Sequence, residues 1–306
     1  MRNPSFSIWI LLGPFIGIWF MFWLIPMMLG IEISLQDPVF RPSMAGDTGN
    51  NFGTSYVGTE NFKRVANDPK FWKSLENSLF YVIGSILIIV PLSFFLAMNL
   101  KEIHRVPRGL LVFCLLVPGL ALPGVLSTLF YLFFHGRNGI LNQFLVIPLG
   151  IEPINWMMDP KFIMPSLILQ SVWRWTGMIT LFFLCGLEAV PKWQIETARL
   201  EGAGAWMRIS WVWIPCIRHL GVFAAVFLAV DGFASFSGAY VLLGGSGGML
   251  DSGLLLVTYL YQVAFPGGGG RFDFPAAAAM SLIAFPFAAA LSYALLRIRS
   301  SASSSK

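Results

Sequence analysis

Long apolar runs separated by short polar segments dominate the pattern of this chain. Six runs contain no charge or a single one, and each exceeds the roughly 20 residues that a helix needs to cross a bilayer. They are 8–31, 77–100, 109–134, 162–187, 219–250 and 274–296. The pattern predicts an all-α polytopic membrane protein with six transmembrane helices. The first run lacks an Ala-x-Ala-like cleavage site, which favours a retained helix over a cleaved signal.

The same runs divide the chain into segments. Residues 1–34 are predicted to form the first transmembrane helix, and 35–76 an extracytoplasmic loop. Residues 77–299 are predicted to form a five-helix core that contains a cytoplasmic loop at 188–215. The small polar tail 300–306 is predicted to be disordered.

Basic residues are unevenly divided between the loops of the two sides. One predicted side carries Arg2, Lys101, Arg105, Arg108, Lys192, Arg199, Arg208, Arg218, Arg297, Arg299 and Lys306. The short loops of the other side carry Arg137, Lys161 and Arg271, and five more basic residues lie in 35–76. Because Lys and Arg in short loops favour the cytoplasmic side, both termini are predicted to face the cytoplasm.

The composition excludes a soluble domain. Hydrophobic residues make up 56% of the chain and charged residues 11%, with a mean hydropathy of +0.72, whereas a soluble domain is about a quarter charged. The net charge of +5 reflects the basic loops and does not indicate a nucleic-acid partner. Three widely spaced cysteines predict neither disulfides nor a metal site. The glycine run 266–270 lacks the Lys-Ser/Thr of a phosphate loop and predicts a flexible outer turn.

The 188–215 loop is the most unusual polar segment. Pro191 suits the start of a helix, 191–201 are good helix formers, and Gly202 can take the left-handed conformation that ends one. A second helix is predicted to restart towards Trp211. The pattern alone leaves two interpretations open: a helix that inserts into a partner's groove, and an amphipathic linker lying on lipid headgroups.

The same segment resembles the docking signature of bacterial ABC importer permeases. That signature reads Glu-Ala-Ala, two residues, Asp-Gly-Ala, and then a proline. The matching positions are Glu196, Ala198, Gly202, Ala203 and Pro215. Thr197 replaces the first Ala of the signature, and Glu201 replaces its Asp.

Five further segments resemble the permease subunits of carbohydrate importers. They are 56–62, 68–79, 138–142, 173–177 and 242–248. The proline that the family has in the last of these segments is absent here. The order and spacing of the segments extend the resemblance along almost the whole chain.

The resemblance implies a type I ABC importer-like fold in the bacterial cytoplasmic (inner) membrane. It implies a second permease subunit, an ABC ATPase dimer and an extracytoplasmic substrate-binding protein as partners, besides membrane lipid. The residues expected to dock on the ATPase are Glu196, Thr197, Ala198, Glu201, Gly202 and Ala203. This chain lacks a Gly-x-x-x-x-Gly-Lys-Ser/Thr motif, so ATP is expected to be hydrolysed by a partner, and no cofactor is expected to bind this chain.

Two charges lie near the middle of apolar runs, where a lone charge costs several kcal/mol. Arg174 and Asp231 are therefore expected to face the bundle interior, either as a mutual structural pair or as substrate contacts. Neighbouring aromatic side chains could pack the core or stack on sugar rings. The candidates for a substrate path are Trp173, Arg174, Trp175, Asp231, Phe233 and Phe236.

The predicted function is the translocation of a sugar or oligosaccharide by alternating access, with no enzymatic activity in this chain. Glycerol phosphodiesters and polyols are the alternative cargoes. A stand-alone secondary carrier predicts inverted repeats and several intramembrane ionisable residues, of which only two occur here. A membrane-embedded enzyme needs a cluster of Asp, Glu or His at one membrane face, and the sequence has none.

Overall fold

The computed structural model describes three stretches of the chain, 4–37, 56–265 and 273–301. These residues are almost entirely helical, and the one extended pairing among them is an antiparallel bridge between Gln36 and Tyr56. Three predicted features lie wholly or partly outside the described residues. They are 38–55 of the extracytoplasmic loop, the glycine run 266–270 and, beyond the end of the last helix, most of the tail 300–306.

Thirteen α-helices follow one another in these stretches. They are α1 (Pro4–Trp19), α2 (Ile25–Ser34), α3 (Glu60–Ala66), α4 (Pro69–Glu102), α5 (Arg105–Leu120), α6 (Pro123–Phe133), α7 (Pro160–Ala189), α8 (Lys192–Leu200), α9 (Ala205–Arg208), α10 (Ile214–Phe233), α11 (Ser237–Leu242), α12 (Leu256–Ala264) and α13 (Phe274–Ser301). The chain divides into two units. The first is Met1–Phe71 with Leu260–Phe285, and the second is Trp72–Tyr259 with Pro286–Lys306.

The predicted membrane architecture is confirmed in outline. Five helical stretches are long and apolar enough to cross a membrane, namely Leu12–Ser34, Pro69–Glu102, Pro160–Ala189, Ala205–Phe233 and Phe274–Arg297. Arg105–Leu120 and Pro123–Phe133 qualify as a sixth when taken together, but they are bent by 99° at the break between them. The all-α polytopic fold therefore stands, with one span broken.

Two of the apolar runs do not form continuous helices. Ala121 and Leu122 are extended between α5 and α6, because Pro123 disfavours the helical conformation in the residue before it. The boundaries predicted for the fifth helix, 219–250, are wrong. Its helix α10 ends at Phe233, and α11 begins only after a break at which small and polar residues favour turns.

An Asp-Pro pair begins each of the two longest helices. Asp68 accepts a hydrogen bond from the Lys70 amide at 2.9 Å, and Asp159 accepts one from the Lys161 amide at 3.0 Å. Each carboxylate thereby satisfies a backbone N–H that has no partner inside the helix. As a result α4 begins well before its apolar run, and 69–76 of the predicted extracytoplasmic loop are helical.

Among the described residues, three π-helical turns occur at places where a proline follows. They are Phe20–Leu24, Asn142–Val146 and Ile209–Trp213. Each is closed by the N–H of the residue immediately before a proline, which bonds the carbonyl five residues back. Because proline lacks an N–H and its ring crowds the carbonyl four residues earlier, the wider turn relieves both problems.

Polar side chains hold the first unit together around α3. The buried Asn61 side chain donates to the carbonyls of Ser34 and Gln36 at 2.9 and 2.8 Å, and so satisfies backbone groups at the end of α2. Arg64 forms an ion pair at 3.0 Å with the buried carboxylate of Asp273. Asp273 also accepts the Ala276 amide at the start of α13. The short helix α3 is thus bonded to the ends of two apolar helices.

Helix α7 is the most buried span of the second unit. Of its most apolar window, 61% is buried, against 28% for α4 and 33% for the span that contains α10. Gly177 lets α5 pack closely on α7, since a Cβ added there would overlap the carbonyl of Leu115. The Ser93 hydroxyl of α4 donates to the Thr176 carbonyl at 3.0 Å, so α4 also lies against α7.

We expect Gly177→Ala to lower the free energy of unfolding by about 1–3 kcal/mol, because the new methyl group meets backbone that cannot rotate away. Gly109→Ala is the matched control on α5, since a Cβ there meets nothing within 4 Å. Its effect should be neutral or stabilising by up to about 1 kcal/mol. Reversible unfolding of the purified protein by SDS titration measures both, and equal destabilisation would contradict the close packing.

Candidate functional site

A polar cavity of about 190 Å³ lies within the second unit. Four of its lining side chains come from α7 and one from α4, namely Gln170, Ser171, Arg174, Trp175 and Tyr81. Its remaining lining comes from α6, from Asp231 on α10, from the break that follows α10 and from the start of α11. Hydroxyl, amide, indole and charged groups therefore converge on one small space inside an apolar bundle.

Residues beside two helix breaks of the second unit contribute to this cavity. Pro123 and Leu126, at the start of α6, line one part, and 234–238 line another. The Gln170 amide donates to the Ser127 hydroxyl at 2.8 Å, which fixes α6 against α7 beside the cavity. Membrane proteins tolerate interrupted helices where the loosened backbone is enclosed by protein or lines an aqueous space. The cavity meets that requirement.

Trp175 connects the two intramembrane charges. Its indole N–H donates to a carboxylate oxygen of Asp231 at 2.7 Å. The guanidinium carbon of Arg174 lies 4.6 Å from the centroid of the same ring. Among the described residues no ion pair joins Arg174 to Asp231, so the direct mutual pair considered from the sequence is not formed.

Arg174 retains unused hydrogen-bonding capacity. Its Nε atom is buried and has no hydrogen-bond partner among the described residues. A buried donor without a partner costs about 1–3 kcal/mol, and the cation–π contact with Trp175 compensates the charge without using that N–H. A ligand oxygen or a water molecule in the cavity could accept it.

The structure brings four of the six predicted path residues to the cavity, namely Arg174, Trp175, Asp231 and Phe236. Trp173 is 47% exposed and lies edge-on to Phe130, with the ring centroids 5.5 Å apart. Phe233 is buried in packing and does not line the cavity. Residues two apart on a helix point about 200° apart, which separates Trp173 from Trp175.

Sequence reasoning missed Tyr81, Gln170, Ser171, Ser235 and Ser237 as cavity residues. A signal for Gln170 was present, because it lies four residues before Arg174 and thus on the same face of α7. No comparable signal identifies Tyr81, which reaches the cavity from another helix.

The 188–215 loop has the predicted helix, turn and helix. Helix α8 ends in a left-handed residue, Gly202, whose φ is +81°. The Gly202 amide donates to the Arg199 carbonyl at 3.0 Å, and the Ala203 amide donates to the Ala198 carbonyl at 2.9 Å. This pair of bonds is the Schellman arrangement, which satisfies the last carbonyls of a helix. The turn thereby brings together the two signature alanines, Ala198 and Ala203.

The side chains of the turn divide into two groups. Glu196, Thr197 and Glu201 are exposed, whereas Ala198 and Ala203 are half-buried. The exposed side chains are free to contact a partner, and the small ones form the inside of the turn. Among the described residues, no group of three or more His, Cys, Asp or Glu side chains is arranged to hold a metal ion.

No protein-family model matches the chain. It is 30% identical over 251 residues to the arabinooligosaccharides transport system permease protein of Bacillus subtilis, covering 82% of this chain and 76% of that protein. It is 27% identical over 287 residues to the lactose transport system permease protein of Rhizobium radiobacter, covering 93% and 91%. It is 29% identical over 259 residues to the trehalose/maltose transport system permease protein of Thermococcus litoralis, covering 83% and 82%.

Two solved structures share the fold. Chains of a bacterial alginate ABC transporter match with a TM-score of 0.77 at 18% identity, covering 95% of this chain and 93% of that one, and with 0.76 at 19% identity, covering 96% of both. The first of these structures was determined in complex with a periplasmic protein that carries an alginate pentasaccharide.

We expect Gly202→Ala to destabilise the turn by about 1–2 kcal/mol, because a Cβ disfavours the left-handed conformation. Trypsin cleavage after the exposed Arg199 should then accelerate about tenfold, since 1.4 kcal/mol is a factor of ten in the open population. Gly204→Ala is the control, because Gly204 has a φ of −64° and open space around it. Indistinguishable cleavage rates for the two variants would contradict the strain argument.

Proposed function

Because this chain belongs to the family of ABC sugar-transport permeases, we propose that it is the membrane subunit of an ATP-driven importer that passes a sugar or oligosaccharide through the cavity beside Trp175 by alternating access. The chain is a multi-pass protein of the inner membrane. Its named relatives carry lactose, arabinooligosaccharides and trehalose or maltose. A saccharide is therefore the cargo class that the relatives favour.

The observation that carries the proposal is the meeting of Arg174, Trp175 and Asp231 in one cavity. Sugar hydroxyl groups donate and accept hydrogen bonds at once, so one hydroxyl can donate to the carboxylate while another accepts from the guanidinium. The indole offers an apolar face as well. Such a mixture of a few convergent polar groups and an aromatic surface is typical of sites for small polar ligands.

The charge balance of the cavity supports an uncharged cargo. One cation and one carboxylate line it, so their charges offset each other for a neutral sugar or polyol. A glycerol phosphodiester would gain from Arg174 but would be repelled by Asp231, with little water to screen them. The observations thus favour neutral saccharides and polyols over phosphodiesters.

The 188–215 loop is proposed to dock on the ATPase, with both chain termini on the same, cytoplasmic side. Support comes from the exposed Glu196 and Glu201, the rigid turn at Gly202 and the basic residues of the loops on that side. ATP would be bound and hydrolysed by an ABC ATPase dimer, and this chain would catalyse no reaction. The other proposed partners are a second permease subunit, an extracytoplasmic binding protein and membrane lipid.

We expect Trp175→Phe to lower ATP-driven uptake about tenfold or more. Phenylalanine retains an aromatic face but removes the N–H that bonds the Asp231 carboxylate, and a hydrogen bond to a charged group contributes about 1.5–3 kcal/mol. The measurement is uptake by proteoliposomes that contain the complex of both permeases and the ATPase, with a binding protein outside. The labelled solute is a saccharide that this binding protein retains in a screen beginning with lactose, maltose and trehalose.

Trp173→Phe is the matched control for this experiment. Trp173 lies on the same helix, half-exposed and outside the cavity, so the same substitution should change uptake less than about twofold. Equal losses of uptake in both variants would show that the cavity is not on the transport path. ATP-independent uptake by the wild-type complex would contradict the proposal that the complex is an ATP-driven importer.

A further inference from the structure

Both ends of the 188–215 loop contact the last turn of α4. Lys101, in the last turn of α4, donates from its ammonium group to the Leu187 carbonyl at 2.7 Å. The same ammonium lies 3.8 Å from the centroid of the buried Trp213 ring. Leu187 immediately precedes the loop, and Trp213 lies where the loop passes into α10. One cation therefore contacts both ends of the loop.

The chemistry of these contacts suits a joint between helices. The Leu187 carbonyl is among the last four of α7, which have no partner within the helix, and a Lys side chain there also complements the negative end of the helix dipole. The Trp213 ring attracts the ammonium through its π face. No carboxylate lies within ion-pair distance of Lys101 among the described residues, and the nearby Glu188 is paired with Arg108 at 2.7 Å.

The Arg108–Glu188 ion pair adds a second connection at the same place. Arg108 lies in the first turn of α5, and Glu188 lies at the end of α7. The α4–α5 turn is thus attached to α7 by two independent polar contacts, and to the start of α10 by the ammonium–indole contact. Close packing supports the junction, since a Cβ added at Gly186 of α7 would overlap the Leu220 side chain of α10.

We propose that Lys101 is a positioning residue that couples movement of the 188–215 loop to the helices around the cavity. The inference rests on the proposed function, because it assumes that the loop is driven by an ATPase. Helix α4 carries Tyr81 into the cavity wall, and α7 carries Arg174 and Trp175. Without the ammonium, the ends of the loop could shift independently of α4. Part of the ATP-driven displacement would then be lost before it reached the cavity.

The test compares Lys101→Met with Lys101→Arg in the complete reconstituted complex. Methionine retains an unbranched apolar stem and removes the charge, whereas arginine retains both the charge and the ability to lie on the indole. The quantity measured is the amount of saccharide imported per ATP hydrolysed, with the saccharide that the binding protein retains as the probe. We expect this ratio to fall about fivefold or more in Lys101→Met, the lower end of typical coupling effects, and to be restored in Lys101→Arg.

Lys73→Met is the matched control, because Lys73 is an exposed lysine near the opposite end of the same helix. It should leave the ratio unchanged, as should any substitution that merely reduces the amount of complex. An unchanged ratio in Lys101→Met overturns the proposal. So does failure of Lys101→Met to co-purify with the ATPase, since Lys101 would then serve assembly.

The result for the wild-type complex distinguishes failure of the proposed function from failure of the inference about Lys101. If the wild type imports none of the saccharides that its binding protein retains while ATP is hydrolysed, the proposed function fails, and this inference fails with it. If the wild type imports them and Lys101→Met does so at the wild-type ratio, the inference alone fails.

Discussion

Every backbone N–H and C=O within an apolar bundle must find a partner inside the protein, and two breaks in the described helices of the second unit interrupt the regular helical pairing. The first is the extended pair Ala121–Leu122, and the second is the break between α10 and α11. Pro123 and Leu126, which follow the first break, and residues 234–238 at the second line the same polar cavity. Both breaks therefore lie next to the polar cavity. The constraint that limits the fold also locates the proposed site.

Proline shows why these breaks are hard to predict from sequence. Prolines lie inside five helices of the described residues, at Pro14, Pro91, Pro118, Pro165 and Pro286. Three others follow π-helical turns, and Pro123 follows a bend of 99°. The local chemistry is the same in each case, so the outcome depends on packing. Close contact at Gly177 holds α5 against α7, and α6 is bonded to α7 through Gln170, so the chain turns between them.

Local features were predictable, whereas contacts between helices were not. The turn at Gly202 follows from a few adjacent residues, and the structure has the expected left-handed glycine. The interaction of Arg174 with Asp231 depends on the relative rotation of α7 and α10, which hydropathy does not reveal. The structure places the Trp175 indole in contact with both charges instead of joining them directly. The approximate positions of the spans were likewise predictable, but the break after Phe233 was not, because the run 219–250 contains only one charge and continues past it.

Helix α7 connects the two functional regions mechanically. Its cavity residues begin at Gln170, and its contacts with Lys101 and Arg108 lie at Leu187 and Glu188. At 1.5 Å per residue these regions are about 25 Å apart along a helix that contains no proline between them. A displacement of the loop end of α7 therefore moves the cavity wall as part of the same rod. What remains adjustable is the junction with α4, α5 and α10, where the contacts are a hydrogen bond, an ion pair and a cation–π contact. Control of the cavity thus depends on that polar junction more than on the flexibility of any single span.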